Sequence, residues 1–250
     1  MINLKNALNK NKRTIGSWIS LGHPSIAEIM AKSGFDWLTI DMEHSVITLG
    51  EVQNLIQVIE LCKTVPLVRV SANDPTLIKR VMDAGAYGVI VPMVNTKDDA
   101  LRAVSAVKYP PAGKRGVGLA RAQGYGFSFP DYRDRINKES VVIVQIEHVD
   151  AIKNLESILT TPGVDGSIVG PYDLSGSLGV PGKFGDVRLK QAILSYEKVS
   201  RRLNKPMGFH VVEPDIKEIL RFKKKGYSFL AVGLDALYLG IKCREVLKAL

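Results

Sequence analysis

An apolar run near residue 40 ends abruptly in groups that can do chemistry. Residues Phe35–Ile40 are followed by Asp41, Glu43 and His44. A strand that is buried on both faces of a parallel sheet reads as a short apolar run. Parallel α/β folds place their chemistry at the carboxyl ends of such strands. Histidine is the side chain best suited to proton transfer near neutral pH, which makes His44 a candidate for that role. The alternative is that these residues are solvated loop positions or helix caps.

Two later apolar runs end in polar groups in the same way. One run ends at Arg69, and another ends at Gln145 and Glu147. A charge inside an apolar strand is costly unless it has a partner. Arg69 therefore has either a role in a site or a structural ion pair with a neighbouring carboxylate.

A further apolar run ends at Gly170, Pro171, Tyr172 and Asp173. Glu147 and Asp173 on adjacent strands can hold a divalent ion such as Mg²⁺ or Mn²⁺, with water completing its shell. A helix cap or a salt bridge is the alternative for each carboxylate. Gly170 and Pro171 leave the backbone bare, so the N–H groups of Tyr172 and Asp173 can face an anionic ligand.

Alternating strands and helices must position these groups. The apolar runs predict eight strands, which are the run before Asp41 together with Thr14–Ile19, Pro66–Val70, Gly88–Pro92, Val141–Ile146, Gly166–Gly170, Pro206–Val212 and Phe229–Val232. Helical periodicity and caps predict helices over 1–12, Ile26–Ser33 capped by Ser25, Leu49–Lys63, Pro75–Asp83 ended by Gly85, Lys97–Val107, Asp150–Leu159, Val187–Leu203, Pro214–Lys225 and Asp235–Leu250. Between them, the Gly-rich segment from Tyr109 to about Tyr132 reads as a long loop.

Eight βα units without a linker predict a TIM (β/α)8 barrel of the α/β class. No shift in composition divides the chain, so we expect a single domain over residues 1–250. An open doubly wound sheet is the alternative architecture.

Composition excludes several classes of protein. Of the 250 residues, 46% are hydrophobic and 24% charged, as in an ordinary globular protein. The net charge of +9 is spread along the chain, so anionic substrates fit it at least as well as nucleic acid. No apolar run approaches the roughly 20 residues of a membrane span, and the N-terminus is too polar for a signal peptide. The only two cysteines, Cys62 and Cys243, are far apart and lack metal-ligand spacing, so we expect no disulfide framework, and a reducing cytoplasm fits best.

Taken together, these motifs resemble the HpcH/HpaI aldolases, the metal-dependent pyruvate aldolases that include 4-hydroxy-2-oxoheptanedioate aldolase. The resemblance spans nearly the whole chain. It is carried by the segments Gly16–Trp18, Phe35–His44, Val68–Val70 with Asn73–Pro75, Val91–Val94, Tyr109–Gly118, Val144–Glu147 and Val164–Ser175.

The resemblance implies a role for each of the main polar residues. Glu147 and Asp173 correspond to the metal ligands of the family. His44 corresponds to the catalytic base, and Asp83 to the carboxylate that orients it. Arg69 corresponds to the residue that steadies the enolate oxygen.

Further correspondences concern the substrate. Gln145 matches a substrate contact, and the backbone of 170–173, including Gly170, Pro171 and Tyr172, matches the cradle of the pyruvate carboxylate. Asp41 and Glu43 match residues near the metal-bound water and the histidine. Two histidines depart from the family pattern, His23 and His210, and each is either a contact to the variable part of the substrate or a structural histidine. The loop 119–130 is also peculiar to this chain, and we expect it to border the aldehyde pocket.

The resemblance implies a class II aldolase that cleaves a 4-hydroxy-2-oxo acid to pyruvate and an aldehyde through a metal-stabilised enolate. Mg²⁺, Mn²⁺ or Co²⁺ is the expected cofactor, and no lysine is required as a Schiff base. The expected partners are small molecules and further copies of the chain in a homohexamer, with no nucleic acid and no membrane. The alternatives are a citrate-lyase-like or malyl-CoA-lyase-like enzyme of the same superfamily and a non-catalytic metal-binding barrel.

Overall fold

Eight parallel strands close into a barrel in the order in which they occur in the chain. The structure, a computed structural model, describes residues 1–250. The strands are β1 Thr14–Ile19, β2 Trp37–Asp41, β3 Val65–Arg69, β4 Gly88–Val91, β5 Val141–Ile146, β6 Gly166–Val169, β7 Met207–Val211 and β8 Phe229–Leu234. Pairing of β1 with β8 completes the circle, so the predicted TIM barrel is confirmed and the open sheet is excluded.

Helices surround the barrel and return the chain from the end of each strand to the start of the next. They are α1 Leu4–Asn9, α2 Pro24–Lys32, α3 Leu49–Leu61, α4 Pro75–Ala84, α5 Lys97–Val107, α6 Phe129–Glu139, α7 Val149–Lys153, α8 Leu155–Leu159, α9 Pro171–Ser177, α10 Val187–Arg202, α11 Ile216–Lys224 and α12 Asp235–Lys248. A 3₁₀ helix spans Arg121–Gly126. None of these helices is long and apolar enough to cross a membrane.

The barrel interior is apolar at its amino end. The indole of Trp37 stacks on Phe229 with ring centroids 4.2 Å apart, and Leu4 and Leu8 of α1 belong to the same buried cluster. A Cβ at Gly16 would lie 2.1 Å from the Trp37 ring, so only glycine fits there. Because apolar side chains fill this end, the polar inward-facing residues collect at the carboxyl end.

The structure contains two helices that the sequence pattern does not predict. The segment read as the end of a loop contains α6, whose buried face is only Tyr132 and Ile136. That stripe is too narrow to stand out after a run of glycines. Helix α9 occupies a segment that is predicted to be a turn. The single helix predicted over 150–159 is two short helices that meet at Asn154.

The last helix leaves the barrel surface. Every residue from Ile241 to Leu250 is exposed. Leu239 and Leu247 are exposed to 60% and 71%. An ordinary outer helix of a barrel buries an apolar stripe against the sheet, so α12 leaves apolar surface without cover.

Candidate active site

The ends of β2 and β3 form the charged centre of the barrel mouth. Asp41 and Arg69 are paired in register on these strands. Arg69 donates from Nε to Asp41 Oδ1 at 2.9 Å and from Nη2 to Asp41 Oδ2 at 2.6 Å. Its Nη1 lies 3.0 Å from Oε2 of Glu43. Arg69 therefore has the ion pair that its place in an apolar strand required, and the two carboxylates fix its guanidinium at the mouth.

Burial and neighbouring charges perturb both carboxylates that hold Arg69. Burial alone would raise the pKa of Asp41, but the hydrogen bonds and charge of Arg69 outweigh it and hold that pKa below its usual value. Burial raises the pKa of Glu43 to about 7, although Arg69 opposes the rise. The negative charges of Glu147, Asp41 and Asp173 act in the same direction as burial. The mouth thus gathers four carboxylates around one arginine, which is an excess of negative charge.

Glu147 lies at the end of β5 and is almost fully buried. Its Oε1 accepts a hydrogen bond of 2.7 Å from the backbone N–H of Met93, and its Oε2 accepts one from Gln145 Nε2. Met93 adopts a left-handed backbone with φ of 51°, which is uncommon for a residue with a side chain. Burial raises the pKa of Glu147, and the nearby Asp173 adds to this rise.

The chain around Gly170 leaves room for these side chains. A Cβ at Gly170 would lie 3.0 Å from Glu147 Cβ and 3.1 Å from Glu147 Oε2. Pro171 occupies the first turn of α9, and the N–H groups of Tyr172 and Asp173 have no partner within the chain. The Tyr172 ring packs edge-on against Phe184 at a centroid distance of 4.7 Å.

Asp173 differs from Glu147 in its surroundings. It lies in the first turn of α9, is exposed, and makes no hydrogen bond or ion pair with the protein. It does not cap the turn that follows it. No group of three or more His, Cys, Asp or Glu side chains is arranged to hold a metal ion. Any metal at this mouth would therefore depend on the two carboxylates, the substrate and water for its ligands.

His44 lies at the rim of the mouth with its side chain 64% exposed. Its nearest carboxylate is Glu43, whose Oε2 is 4.0 Å from His44 Nε2. The predicted partner Asp83 accepts a hydrogen bond from Arg115 Nη2 in this chain, and its role in orienting His44 stays a prediction. Asp83 lies in the last turn of α4.

His23 and Arg121, a residue of the loop 119–130, each form hydrogen bonds at the end of a helix. His23, rather than Ser25, caps α2, because its Nδ1 accepts a hydrogen bond from the Ser25 N–H at 3.2 Å. Arg121 of the loop donates to Ala84 O and Glu60 Oε2 at the carboxyl ends of α4 and α3. Arg121 therefore packs against the carboxyl ends of two helices, and the expectation that the loop borders the aldehyde pocket stays a prediction.

His210 is the other histidine that the sequence left open. It lies on β7 beside Trp18, with ring centroids 5.2 Å apart, and its Nε2 contacts Gly233 O at 2.9 Å. Burial, together with the positive charge of Arg69, lowers its pKa to about 4, although Gly233 and Asp41 oppose the shift.

We expect the contribution of His210 to the stability of the fold to decrease as the pH falls from about 6.5 to about 4. Unfolded His210 takes up a proton near pH 6.5, whereas the folded residue stays neutral until about pH 4. Within this window the unfolded state binds more protons, so acid favours unfolding by about 1 to 3 kcal/mol. Glu43 shifts the stability in the opposite direction, so the informative quantity is the difference between the wild type and His210→Leu in urea unfolding at each pH. His23→Asn is the matched control, and an unchanged pH slope in His210→Leu would contradict this prediction.

The fold and the mouth define a class of protein. A closed (β/α)8 barrel with charged and polar groups at the carboxyl ends of β2, β3, β5 and β6 has the architecture of a barrel enzyme.

Comparisons with known proteins identify the family. The sequence model of the family described as "HpcH/HpaI aldolase/citrate lyase" matches residues 14–239 of this chain. The 2-keto-3-deoxy-L-rhamnonate aldolase of Escherichia coli O17:K52:H18 is 38% identical over 235 residues, which are 93% of this chain and 87% of that protein. The chain belongs to the HpcH/HpaI aldolase/citrate lyase family and is a carbon–carbon lyase of the aldolase type.

Solved structures of the family superpose closely. An HpcH/HpaI aldolase/citrate lyase family protein from Burkholderia cenocepacia J2315 has a TM-score of 0.94 at 33% identity, covering 100% of this chain and 99% of that one. An HpcH/HpaI aldolase from Desulfitobacterium hafniense DCB-2 has a TM-score of 0.89 at 29% identity, covering 98% and 95%. The resemblance inferred from the sequence motifs is therefore confirmed.

Proposed function

We propose that this enzyme cleaves a 4-hydroxy-2-oxo acid to pyruvate and an aldehyde with the help of a divalent cation. The observation that carries the proposal is the pair Glu147 and Asp173. One is a buried carboxylate with a raised pKa, and the other faces the same mouth without any protein partner. Oxygen donors of this kind suit Mg²⁺, Mn²⁺ or Co²⁺. When bound, such a cation supplies a Lewis acid that polarises the ketone of the substrate.

The residues of the chain then divide the work. His44 takes the proton of the 4-hydroxyl group as the C3–C4 bond breaks, and Glu43 is the carboxylate nearest to it. The electron pair of the broken bond passes to the pyruvate enolate. Arg69, held by Asp41 and Glu43, faces the enolate oxygen as a preorganised positive charge.

Substrate binding falls to the residues after β5 and β6. Gln145 contacts the 2-oxo acid beside Glu147. The free N–H groups of Tyr172 and Asp173, following Gly170 and Pro171, receive the carboxylate of the substrate. The curated relatives are named for a 2-keto-3-deoxy sugar acid, so we place the substrate of this enzyme among 2-oxo acids with a hydroxyl group on C4.

The experiment that tests this function is an assay of pyruvate release. A panel of 4-hydroxy-2-oxo acids is incubated with enzyme and Mn²⁺, and pyruvate and aldehyde are quantified together. We expect equimolar products. In parallel, the methyl protons of pyruvate should exchange with deuterated water, because enolate formation needs no aldehyde. Absence of both reactions across the panel would refute the proposed function.

We further propose that copies of the chain exchange α12 and assemble as a homo-oligomer, with a hexamer as the expected form. The apolar surface of α12 beyond Ile241 supports this proposal, because nothing in its own chain covers it. Light scattering should give about six times the 27.4 kDa chain mass. Leu247→Glu should reduce that mass, whereas Glu245→Gln on the same helix should not. A mass of one chain at micromolar concentration would contradict the proposal.

We also propose a domain organisation and a cellular compartment for the protein. The family match covers all but the ends of the chain, which supports a single domain over residues 1–250. Cys62 and Cys243 are both free thiols, which supports a place in the reducing cytoplasm.

A further inference from the structure

A large cavity lies among the outer helices and contains none of the residues that take part in the mechanism above. Its volume is about 770 Å³, and it is bordered mainly by α4, α5 and the segment 111–116. Cavities of this size commonly hold small-molecule ligands. The cavity is therefore a candidate for a binding site separate from the barrel mouth.

Three positively charged side chains line this cavity, and each belongs to a different segment of the chain. They are Lys79 of α4, Arg102 of α5 and Lys114 of the segment 111–116. None of the three forms an ion pair within the chain. Asp98 is the only acidic residue of the lining. The cavity therefore carries an excess of positive charge that the protein itself does not neutralise.

The wall that carries Lys114 is fixed in place without a ligand. Its backbone N–H donates to Ser105 O of α5 at 2.8 Å. A Cβ at Gly113 would lie 2.3 Å from Lys108 O, so this close approach of the segment to α5 requires a glycine. A ligand would not have to order this wall, which lowers the entropic cost of binding.

The two helices also present hydroxyl groups beside their charged side chains. Thr76 lies three positions before Lys79 on α4, and Ser105 three positions after Arg102 on α5. Residues at this spacing are neighbours on one face of a helix. Neither hydroxyl forms a hydrogen bond within the chain. Each hydroxyl is thus a free neutral donor next to a free cation.

We propose that this cavity binds a small molecule through a phosphoryl group. A phosphoryl group carries nearly two negative charges and three acceptor oxygens. Cations on three separate walls, with two hydroxyl donors between them, match that charge and that number of oxygens better than they match a single carboxylate. The inference is independent of the proposed function, because no residue of the lining belongs to the mouth.

Isothermal titration of the full-length enzyme without added metal tests the site with glycerol 3-phosphate, inorganic phosphate and glycerol. We expect glycerol 3-phosphate to bind with a dissociation constant of about 1 mM or below, and glycerol not to bind. Weaker binding of inorganic phosphate would identify an organic phosphate as the ligand, and tighter binding the free ion. Added salt should weaken either interaction, because the cations are partly exposed. Absence of binding by both phosphate probes would overturn the inference.

Charge-removing variants locate the bound anion. Lys79→Gln, Arg102→Gln and Lys114→Gln should each weaken binding by about 5- to 10-fold, and the triple variant should abolish it. Lys138→Gln, which removes an exposed and unpaired charge of α6, is the matched control and should bind as the wild type does.

Thermal unfolding shows whether the variants keep their fold. We expect midpoints close to that of the wild type, because none of these side chains has an ionic partner to lose. Wild-type affinity in the triple variant would show that the anion binds elsewhere. An equal loss in Lys138→Gln would show that net charge alone attracts the anion. Either result would contradict the proposed site.

Discussion

Excess EDTA is expected to abolish cleavage and pyruvate proton exchange, and Mn²⁺, Mg²⁺ or Co²⁺ should restore both. Without a cation, four carboxylates and one guanidinium would face the substrate carboxylate at the mouth, and charge on the enolate would lack its main stabilisation. Loss of activity to background is therefore expected. Full activity in excess chelator, or a covalent imine trapped by borohydride, would contradict the proposed chemistry.

Direct measurement of Mn²⁺ binding tests the ligands separately from activity. Glu147→Gln and Asp173→Asn remove one negative charge each and keep the shape of the side chain. We expect each to weaken Mn²⁺ affinity by at least about tenfold, because an amide oxygen is a much poorer ligand than a carboxylate. Glu156→Gln, at an exposed position of α8, is the matched control. Wild-type affinity in both ligand variants would require other residues to hold the metal.

His44→Ala is expected to slow cleavage by roughly two to four orders of magnitude, the usual range for loss of a general base. Metal affinity should change little, since the His44 side chain is mostly exposed whereas the proposed ligand Glu147 is buried. Loss of Mn²⁺ binding in His44→Ala would show instead that the histidine is a ligand.

Arg69 provides the contrasting variant. Its charge is fixed, so it does not act as a base at neutral pH. Replacement should slow exchange of the pyruvate methyl protons as well as cleavage. Arg69→Lys is preferable to Arg69→Ala, because alanine would leave Asp41 and Glu43 buried without a counter-charge and destabilise the fold. Wild-type exchange in Arg69→Lys, with the fold checked by thermal unfolding, would remove Arg69 from the enolate.

The strands and the functional groups at their ends could be predicted from the sequence. Short apolar runs predicted all eight strands to within two residues at either end, because a strand covered on both faces must be apolar throughout. Arg69 and Glu147 stood out because each interrupts or ends such a run. Once the barrel was inferred, its geometry required these ends to converge.

The partners of those groups depend on the tertiary structure. The bidentate contact between Asp41 and Arg69 depends on strand register, and the backbone N–H of Met93 reaches Glu147 across 54 positions of the sequence. The period of the hydrophobic residues and the composition of the chain do not predict such contacts. The only signals were weak ones: alternation within β1 and β7 places Trp18 and His210 inward, but which side chains then touch depends on how the barrel closes.

Asp83 illustrates the difference between what sequence patterns predict and what tertiary contacts show. The resemblance to the family assigns Asp83, in the helix after Arg69, the role of orienting His44. The tertiary structure shows a contact that the sequence did not indicate, because Arg115 Nη2 binds Asp83 Oδ1 from 32 positions away. A residue's type and spacing are local properties of the chain, whereas the distance between two side chains is set by the path of every element between them.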